Sequence, residues 1–337
     1  MCRDCRENKG MIFKCKNCGG NVVYEPSRGK MFCPHCESED SEDTIQGGSL
    51  TQCVNCGAPV TVQSYTSASR CEHCGSYIVF NERVEGVYEP HLLLPFYVNK
   101  ESAVAAMEKE FSKRVFTPAD FMSTKSLERM VGIYVPFWLY DYKACYDFAG
   151  EGTKVRTWRT GNTEYTETSY YEVLRKMDVD FDKIPVDASY AMEDGIMDLM
   201  EPYDYGKLQS FAPKYMSGFY GEVYNQGAPE LEGRAQVKAR NASEELMQGS
   251  LKEYSGMKAF RKDLNLARDG VNYALMPVWQ YDYRYQNKTY QFHVNGQTGK
   301  VVGKTPISAG KVAVYGATVL ALVTSICYLA IGIMEIL

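Results

Sequence analysis

Positive charge is scarce in this chain: 37 Lys and Arg stand against 42 Asp and Glu, a formal net charge of -5. That balance creates no global field for recruiting phosphate. Histidine is scarcer still, at four. His35 and His73 sit inside cysteine knuckles, and His91 and His293 have no evident nucleophile beside them, so no hydrolase triad is visible. A P-loop is missing too. "GKVVGKT" at 299–305 is one residue short of the required spacing and runs toward an apolar segment that could not cradle phosphates. "DVDFD" at 178–182 fails as a calcium loop, because Lys183 takes the glycine position and Ser189 the glutamate position. The charged opening "MCRDCRENKG" lacks the apolar core of a secretory signal. No catalytic residue and no small-molecule cofactor site is expected, and the chain reads as non-enzymatic. An unrecognised hydrolase in its β-rich part is the third-ranked reading.

What is present is cysteine, 12 residues in all, ten of them in C-x-x-C pairs before residue 75. Cys15, Cys18, Cys33 and Cys36 follow C-x2-C-x14-C-x2-C, and Cys53, Cys56, Cys71 and Cys74 repeat that spacing 38 residues later. A C-x-x-C turn delivers two thiolates from one knuckle, and two knuckles close a tetrahedral site. The spacing therefore predicts two zinc ribbons with two structural Zn²⁺ ions. Four thiolates also suit iron in a rubredoxin-like site, and redox disulfides are the third alternative. Gly19, Gly57 and Gly75 follow their cysteines, where the backbone must turn without a Cβ in the way. The first module should form a hairpin through "GNVVYE", a turn at "PSRG", and "KMF"; the second uses "APVTVQ" and "ASR". Cys2 and Cys5 have no second pair, and read as free or as competitors of Cys15 and Cys18. Cys145 and Cys327 read as packing residues.

The expected fold class is α+β. A polar leader (1–14) precedes zinc ribbon 1 (15–36), an acidic linker too polar to pack (37–52), and zinc ribbon 2 (53–80). A cytosolic α+β domain (86–307) and one transmembrane helix (312–334) complete the chain. Within the large domain, "NKESAVAAMEKEFSKRV" places Ala103, Met107 and Phe111 at helical spacing. "TPADFMSTKSLERM" predicts a helix with Thr117 as N-cap and Pro118 in its first position. "APELEGRAQVKARNASEELMQGSLKE" predicts a third helix. Strands are expected over "GIYVPFWLYDYKACYDF", "TEYTETSYYEVL" and "LMPVWQYDYRYQNKTYQFHVNGQTGKVVG", the last containing a hairpin turn at "NGQTG". In that hairpin Gln291, His293 and Asn295 alternate with Phe292 and Val294. "VPFWLYDY" at 135–142 returns as "MPVWQYDY" at 276–283, a displacement of 141 that predicts two related β units with Trp138 and Trp279 in the core. Residues 171–204 hold ten Asp/Glu against three Lys/Arg and read as a solvated or partner-facing acidic surface.

Residues 312–334 contain no charge over 23 positions, about 34 Å as a helix and enough to cross a hydrocarbon core of roughly 30 Å. Lys300, Lys304 and Lys311 precede the span, so the positive-inside rule leaves the long N-terminal part in the cytoplasm. Reduced cysteines agree with that placement. The first ribbon carries a small cluster of Lys14, Lys16, Arg28 and Lys30, yet residues 1–85 hold nine Lys/Arg against eleven Asp/Glu. Nucleic-acid binding by the ribbons is accordingly the second reading, behind protein docking.

The chain resembles bacterial zinc-ribbon membrane proteins. It shares with them "LPF" at Leu94–Phe96, "VPFW" at Val135–Trp138, "EPYD" at Glu201–Asp204 and the "NGQTGK" hairpin within Pro277–Pro306. Members carry labels such as TFIIB-type zinc ribbon or primosomal replication-restart helicase, and the helicase label follows from cysteine spacing alone. Some are associated with phage-shock-protein-A-like and SPFH/flotillin-like proteins. The resemblance implies a membrane-anchored adaptor that docks such partners at the lipid bilayer in a membrane-stress system. This chain differs from the family pattern in its duplicated ribbon, its extra N-terminal CxxC and its single span.

Overall fold

A computed structural model describes residues 9–47, 50–118 and 120–334. The N-terminal quarter contains β1 (Gly10–Cys15), β2 (Val23–Glu25), β3 (Lys30–Phe32), β4 (Glu42–Gly47), β5 (Thr66–Arg70) and β6 (Tyr77–Phe80). Next come β7 (Leu92–Leu93), α1 (Lys100–Phe111), α2 (Thr124–Leu127), β8 (Val131–Thr160), β9 (Thr163–Asp187) and α3 (Asp194–Met200). The remainder is β10 (Gln209–Ser210), β11 (Tyr220–Glu222), α4 (Ala228–Ser250), β12 (Gly256–Tyr285), β13 (Lys288–Asn295), β14 (Val301–Gly303) and α5 (Ala309–Met334). Twelve strands make one sheet in the order β10-β7-β12-β8-β11-β5-β6-β1-β4, with β9 on β8 and β13 and β14 added beside β12.

The repeated "P-x-W-x-Y-D-Y" segments lie on the neighbouring antiparallel strands β8 and β12 and run in opposite directions from a crossing where Val135 pairs with Met276. Their surroundings match at the same displacement of 141. Ile133 and Tyr134 of β8 pair in parallel with β11, and Ala274 and Leu275 of β12 pair in parallel with β7. From Phe137 onward β8 pairs with β9, and from Val278 onward β12 pairs with β13. Each tryptophan donates its indole N–H to a carbonyl just ahead of a helix: Trp138 to Gln226 before α4, and Trp279 to Val98 before α1, at 2.9 and 2.8 Å. Each helix entry is therefore pinned by the other unit's strand.

Side chains alternate along these strands, and both faces are covered. Tyr273, Leu275, Trp279, Tyr281 and Tyr283 pack with Phe96, Phe121 and the α1 residues Met107 and Phe111. The even-numbered Ala274, Met276 and Val278 pack with Met197 and Met200 of α3. Two-sided cover extends to the strand that leads into the "NGQTG" turn. His293 and Asn295 are buried, not solvated. Asn295 donates to the Met200 carbonyl at 3.0 Å and accepts from the N–H groups of Gln297 and Thr298, which shapes the turn. Neither ring nitrogen of His293 has a hydrogen-bond partner among the described residues, and burial pulls its pKa down to about 4. The folded protein thus keeps this imidazole neutral while the unfolded chain protonates it near 6.5. Stability should fall as pH drops from about 6.5 toward 4, by about 3 kcal/mol from this group at the lower end. His293→Phe should flatten that part of the slope, read as Tm against pH for both proteins in detergent. An equal slope would show that His293 does not carry it.

The helix expected from Thr117 is reduced to α2. Asp120 accepts from the Tyr283 hydroxyl at 2.7 Å and the Phe121 carbonyl from the Tyr281 hydroxyl at 2.8 Å. Those tyrosines hold the segment as a turn that drives Phe121 among Phe111, Tyr283 and Phe292. The acidic stretch 171–204 is also less free than its composition suggests. Asp187, Asp194 and Asp198 converge on Arg234 of α4, and Asp198 and Glu201 pair with Lys238.

Past the core, β8, β9 and β12 continue as a three-stranded arm, its first part covered on one face by α4, where Tyr142, Tyr146 and Phe148 are buried. Its third strand ends where Gly256 meets Thr153, leaving a β8–β9 ribbon to the turn at Gly161. Asp141 to Thr160 spans roughly 65 Å at about 3.3 Å per residue. Val155, Trp158, Tyr165, Tyr170 and Leu174 stand exposed on it. At the opposite end of β12 its hairpin partner β13 leads through β14 into α5, a helix long and apolar enough to cross a bilayer and not covered by protein.

Candidate metal centres

Four knuckles are built the same way. The amides of Gly19, Glu37, Gly57 and Gly75 donate to the carbonyls of Cys15, Cys33, Cys53 and Cys71 at 2.8–2.9 Å. The amides of those four cysteines donate in turn to Gly20, Ser38, Ala58 and Ser76 at 2.9–3.0 Å. This closure requires a left-handed residue after the second cysteine of each knuckle. Gly19, Gly57 and Gly75 supply it with φ near +70°, but Glu37 does so at φ 61° against steric resistance. Glu37→Gly should therefore stabilise the first module by about 1 kcal/mol. Chelator-resistant metal retention and Tm check this; a lower Tm would contradict it.

The sulfurs of Cys15, Cys18, Cys33 and Cys36 all lie within 4.8 Å of one another, as do those of Cys53, Cys56, Cys71 and Cys74. Cys15–Cys36 and Cys18–Cys33 are 3.6 and 3.5 Å apart, and Cys53–Cys74 and Cys56–Cys71 3.6 and 3.8 Å. A disulfide would need about 2.05 Å, whereas metal–sulfur bonds of about 2.3 Å in a tetrahedron place sulfurs about 3.8 Å apart. Both sets fit a four-thiolate metal ion. His35 and His73 belong to neither ligand set, and Cys2 and Cys5 lie outside the described residues.

Two residues that spacing rules did not mark contribute. In each module the last cysteine is followed two positions on by serine, and the Ser38 and Ser76 hydroxyls lie 3.0 and 3.4 Å from the Cys36 and Cys74 sulfurs. The Ser38 hydroxyl and amide draw the Cys36 thiol down to about 6. Cys74 falls to about 5 even though its partial burial opposes this, because Asn55 and Ser76 hydrogen-bond it. Desolvation pushes Cys53 up to about 12. Each module thus has one thiol ready to ionise as the first ligand, while full ionisation needs a cation. The repeated "C-x-H-C-x-S" was the legible signal for these serines.

The ribbons are not independent beads. β1, which runs through the expected leader to Cys15 of the first module, pairs with β6 of the second and, on its other edge, with β4. β4 is the segment expected to be an unpacked acidic linker. Its side chains do stay largely exposed, but its backbone completes the sheet edge. In the first module β2 and β3 form the expected hairpin. In the second, "APVTVQ" contributes only an isolated bridge from Pro59 to Gln52, and β5 pairs with β6 on one side and with β11 of the large domain on the other. Asn21 bridges the modules, accepting from the Ser76 hydroxyl at 2.8 Å. Ser217 of the large domain donates to the Val22 carbonyl at 2.6 Å. Cys15 and Cys33 belong to the same buried cluster as Phe96 and Trp279.

No family model matches the chain, and no solved structure matches it. It is 34% identical over 326 residues to the uncharacterized protein YdjG of Bacillus subtilis (strain 168), covering 92% of this chain and 96% of that one. The shared stretch takes in most of the body just described, and at that identity over nearly both full lengths the chain belongs to the YdjG family.

Proposed function

We propose that this protein is a non-enzymatic adaptor, anchored by α5 with its body in the cytoplasm, that docks partner proteins at the membrane. The observation that carries the reading is the placement of arm and anchor at opposite ends of β12. A span at one end and an exposed aromatic ribbon at the other suit a device that holds a docking surface away from the bilayer. The two thiolate sets serve as structural zinc sites, because four protein ligands leave no coordination position open for a substrate. Their partners are phage-shock-protein-A-like or SPFH/flotillin-like proteins in a membrane-stress system. Lys300, Lys304 and Lys311 before the span support the cytoplasmic placement.

A specific observation weighs against nucleic acid as the partner. Lys16 pairs with Asp43, Arg28 and Lys30 with Glu39, and Lys14 donates to the Asn21 side chain. Phosphate binding would have to break those contacts in a region whose thiolate sites add negative charge. The test is co-purification of a phage-shock-protein-A-like or flotillin-like protein from membranes with the wild type and with Cys53→Ser/Cys56→Ser. Loss of the partner from the variant is expected; identical retention sinks ribbon docking. Elemental analysis of the purified full chain should give about two zinc per protein by the ligand sets present, and iron in their place would correct the metal.

A further inference from the structure

The short loop that follows α1 lies against the first turns of α5. Phe116 accepts a backbone hydrogen bond from Ser308 at 2.8 Å, and its ring meets that of Tyr315 edge-on at 5.3 Å. Arg114 donates to the Thr305 hydroxyl. Between loop and helix runs an apolar groove of about 430 Å³ lined by Val115, Phe116, Lys311, Val314, Tyr315 and Thr318. Val115, which lines the groove, and Ile307, just ahead of α5, are 69% and 67% exposed.

We infer that this loop is a second membrane contact, seated in the interfacial layer of an anionic phospholipid leaflet beside the point where α5 enters. The inference rests on the reading of α5 as a span. Tyr315 lies one turn beyond Lys311, about 6 Å along the axis. A ring in contact with Tyr315 shares its depth, so a membrane-inserted α5 carries Phe116 and Val115 into the headgroup boundary. Charge favours the same occupant. Lys311 lines the groove, Arg114 reaches Thr305 just ahead of α5, and Lys113 and Lys304 are their neighbours in sequence; Glu110, which pairs with Arg114 at 3.2 Å, opposes them. A cation close to an anionic leaflet is worth about a fivefold gain in lipid association. The contact fixes which side of the body rests on the bilayer, and hence which way the arm points.

The experiment uses the full chain in nanodiscs, with emission read as the difference from wild type. Val115→Trp should lose roughly half its added emission to lipids brominated near the headgroup, since interfacial groups sit about 5–10 Å into that boundary. Val323→Trp, in the middle of α5, should be quenched instead by bromines near the chain end. Quenching of the Val323 variant without the Val115 variant overturns the inference and leaves the span intact. Quenching of neither overturns both. Adding phosphatidylglycerol to phosphatidylcholine should deepen quenching at Val115, and Lys113→Gln/Arg114→Gln/Lys304→Gln should abolish that gain; an undiminished gain overturns the anionic preference.

Discussion

Serine in place of Cys33 should remove one of two metal ions and unfold the first module together with the sheet edge it supports. Cys33 is fully buried, and its sulfur lies 3.5 Å from that of Cys18 inside a set with no spare ligand. Structural four-ligand zinc is worth about 10–16 kcal/mol in small domains at neutral pH. That is comparable to or larger than the whole stability of a typical domain, about 5–15 kcal/mol. The loss should not stay local. β1 carries Cys15 at its end and is the strand on which both β4 and β6 close. Met11, Phe13, Tyr24 and Met31 of this module share a buried cluster with Tyr134 and Phe219 of the large domain. Cys56→Ser should also lose one metal but perturb less, because most of the second module's buried side chains lie in a smaller cluster with Ile12 of β1, around Ile78 and Phe80, and only Ala68 and Val79 join the main cluster. Metal stoichiometry and limited proteolysis of both variants decide this. Equal proteolytic stability of the two would contradict the asymmetry, and two metals retained by Cys33→Ser would remove Cys33 from the ligand set.

Trp279→Ala should be the most costly single change in the large domain. The indole is 6% exposed and packs on Phe96 and Phe219 at 5.2 and 5.9 Å. Removing it costs about 3–5 kcal/mol in transfer and cavity terms, and leaving the Val98 carbonyl without its donor adds about 1–3 kcal/mol. On a body of this size a loss of that order lowers Tm by roughly 10 °C or more. Trp158→Ala makes the control. Trp158 is stacked on Tyr165 near the arm's turn and is 42% exposed, so its loss should change stability by no more than about 0.5 kcal/mol. If the arm docks partners, Trp158→Ala should reduce co-purification without lowering Tm. Equal Tm losses for the two variants would refute the core role given to Trp279.

The contrast between these tryptophans also marks how far sequence reading reaches. The two four-cysteine clusters were legible because coordination demands particular residues at fixed local spacing. Helix α1 was legible from apolar periodicity, and the relatedness of the two β units from an echo 141 residues apart; that they pair with each other was not. Thr117 misled because its capping signal was sound but local, whereas Tyr281 and Tyr283 compete for Asp120 and Phe121 from more than 150 residues away. The acidic 37–52 segment misled for a related reason. Composition governs whether side chains are solvated, while a strand at a sheet edge needs only backbone donors and acceptors.

By itself the sequence determined two four-cysteine sites, a β-rich body and an apolar C-terminal helix, each of which follows from chemistry or periodicity within a few dozen residues. The tertiary structure alone decided that the ribbons are welded into one sheet, that His293 and Asn295 are buried, and that the arm extends away from α5. Those outcomes depend on which backbone edge meets which, and on what covers each face. Hydrogen-bonding groups of the main chain are the same at every residue except proline, so the sequence marks such meetings only weakly.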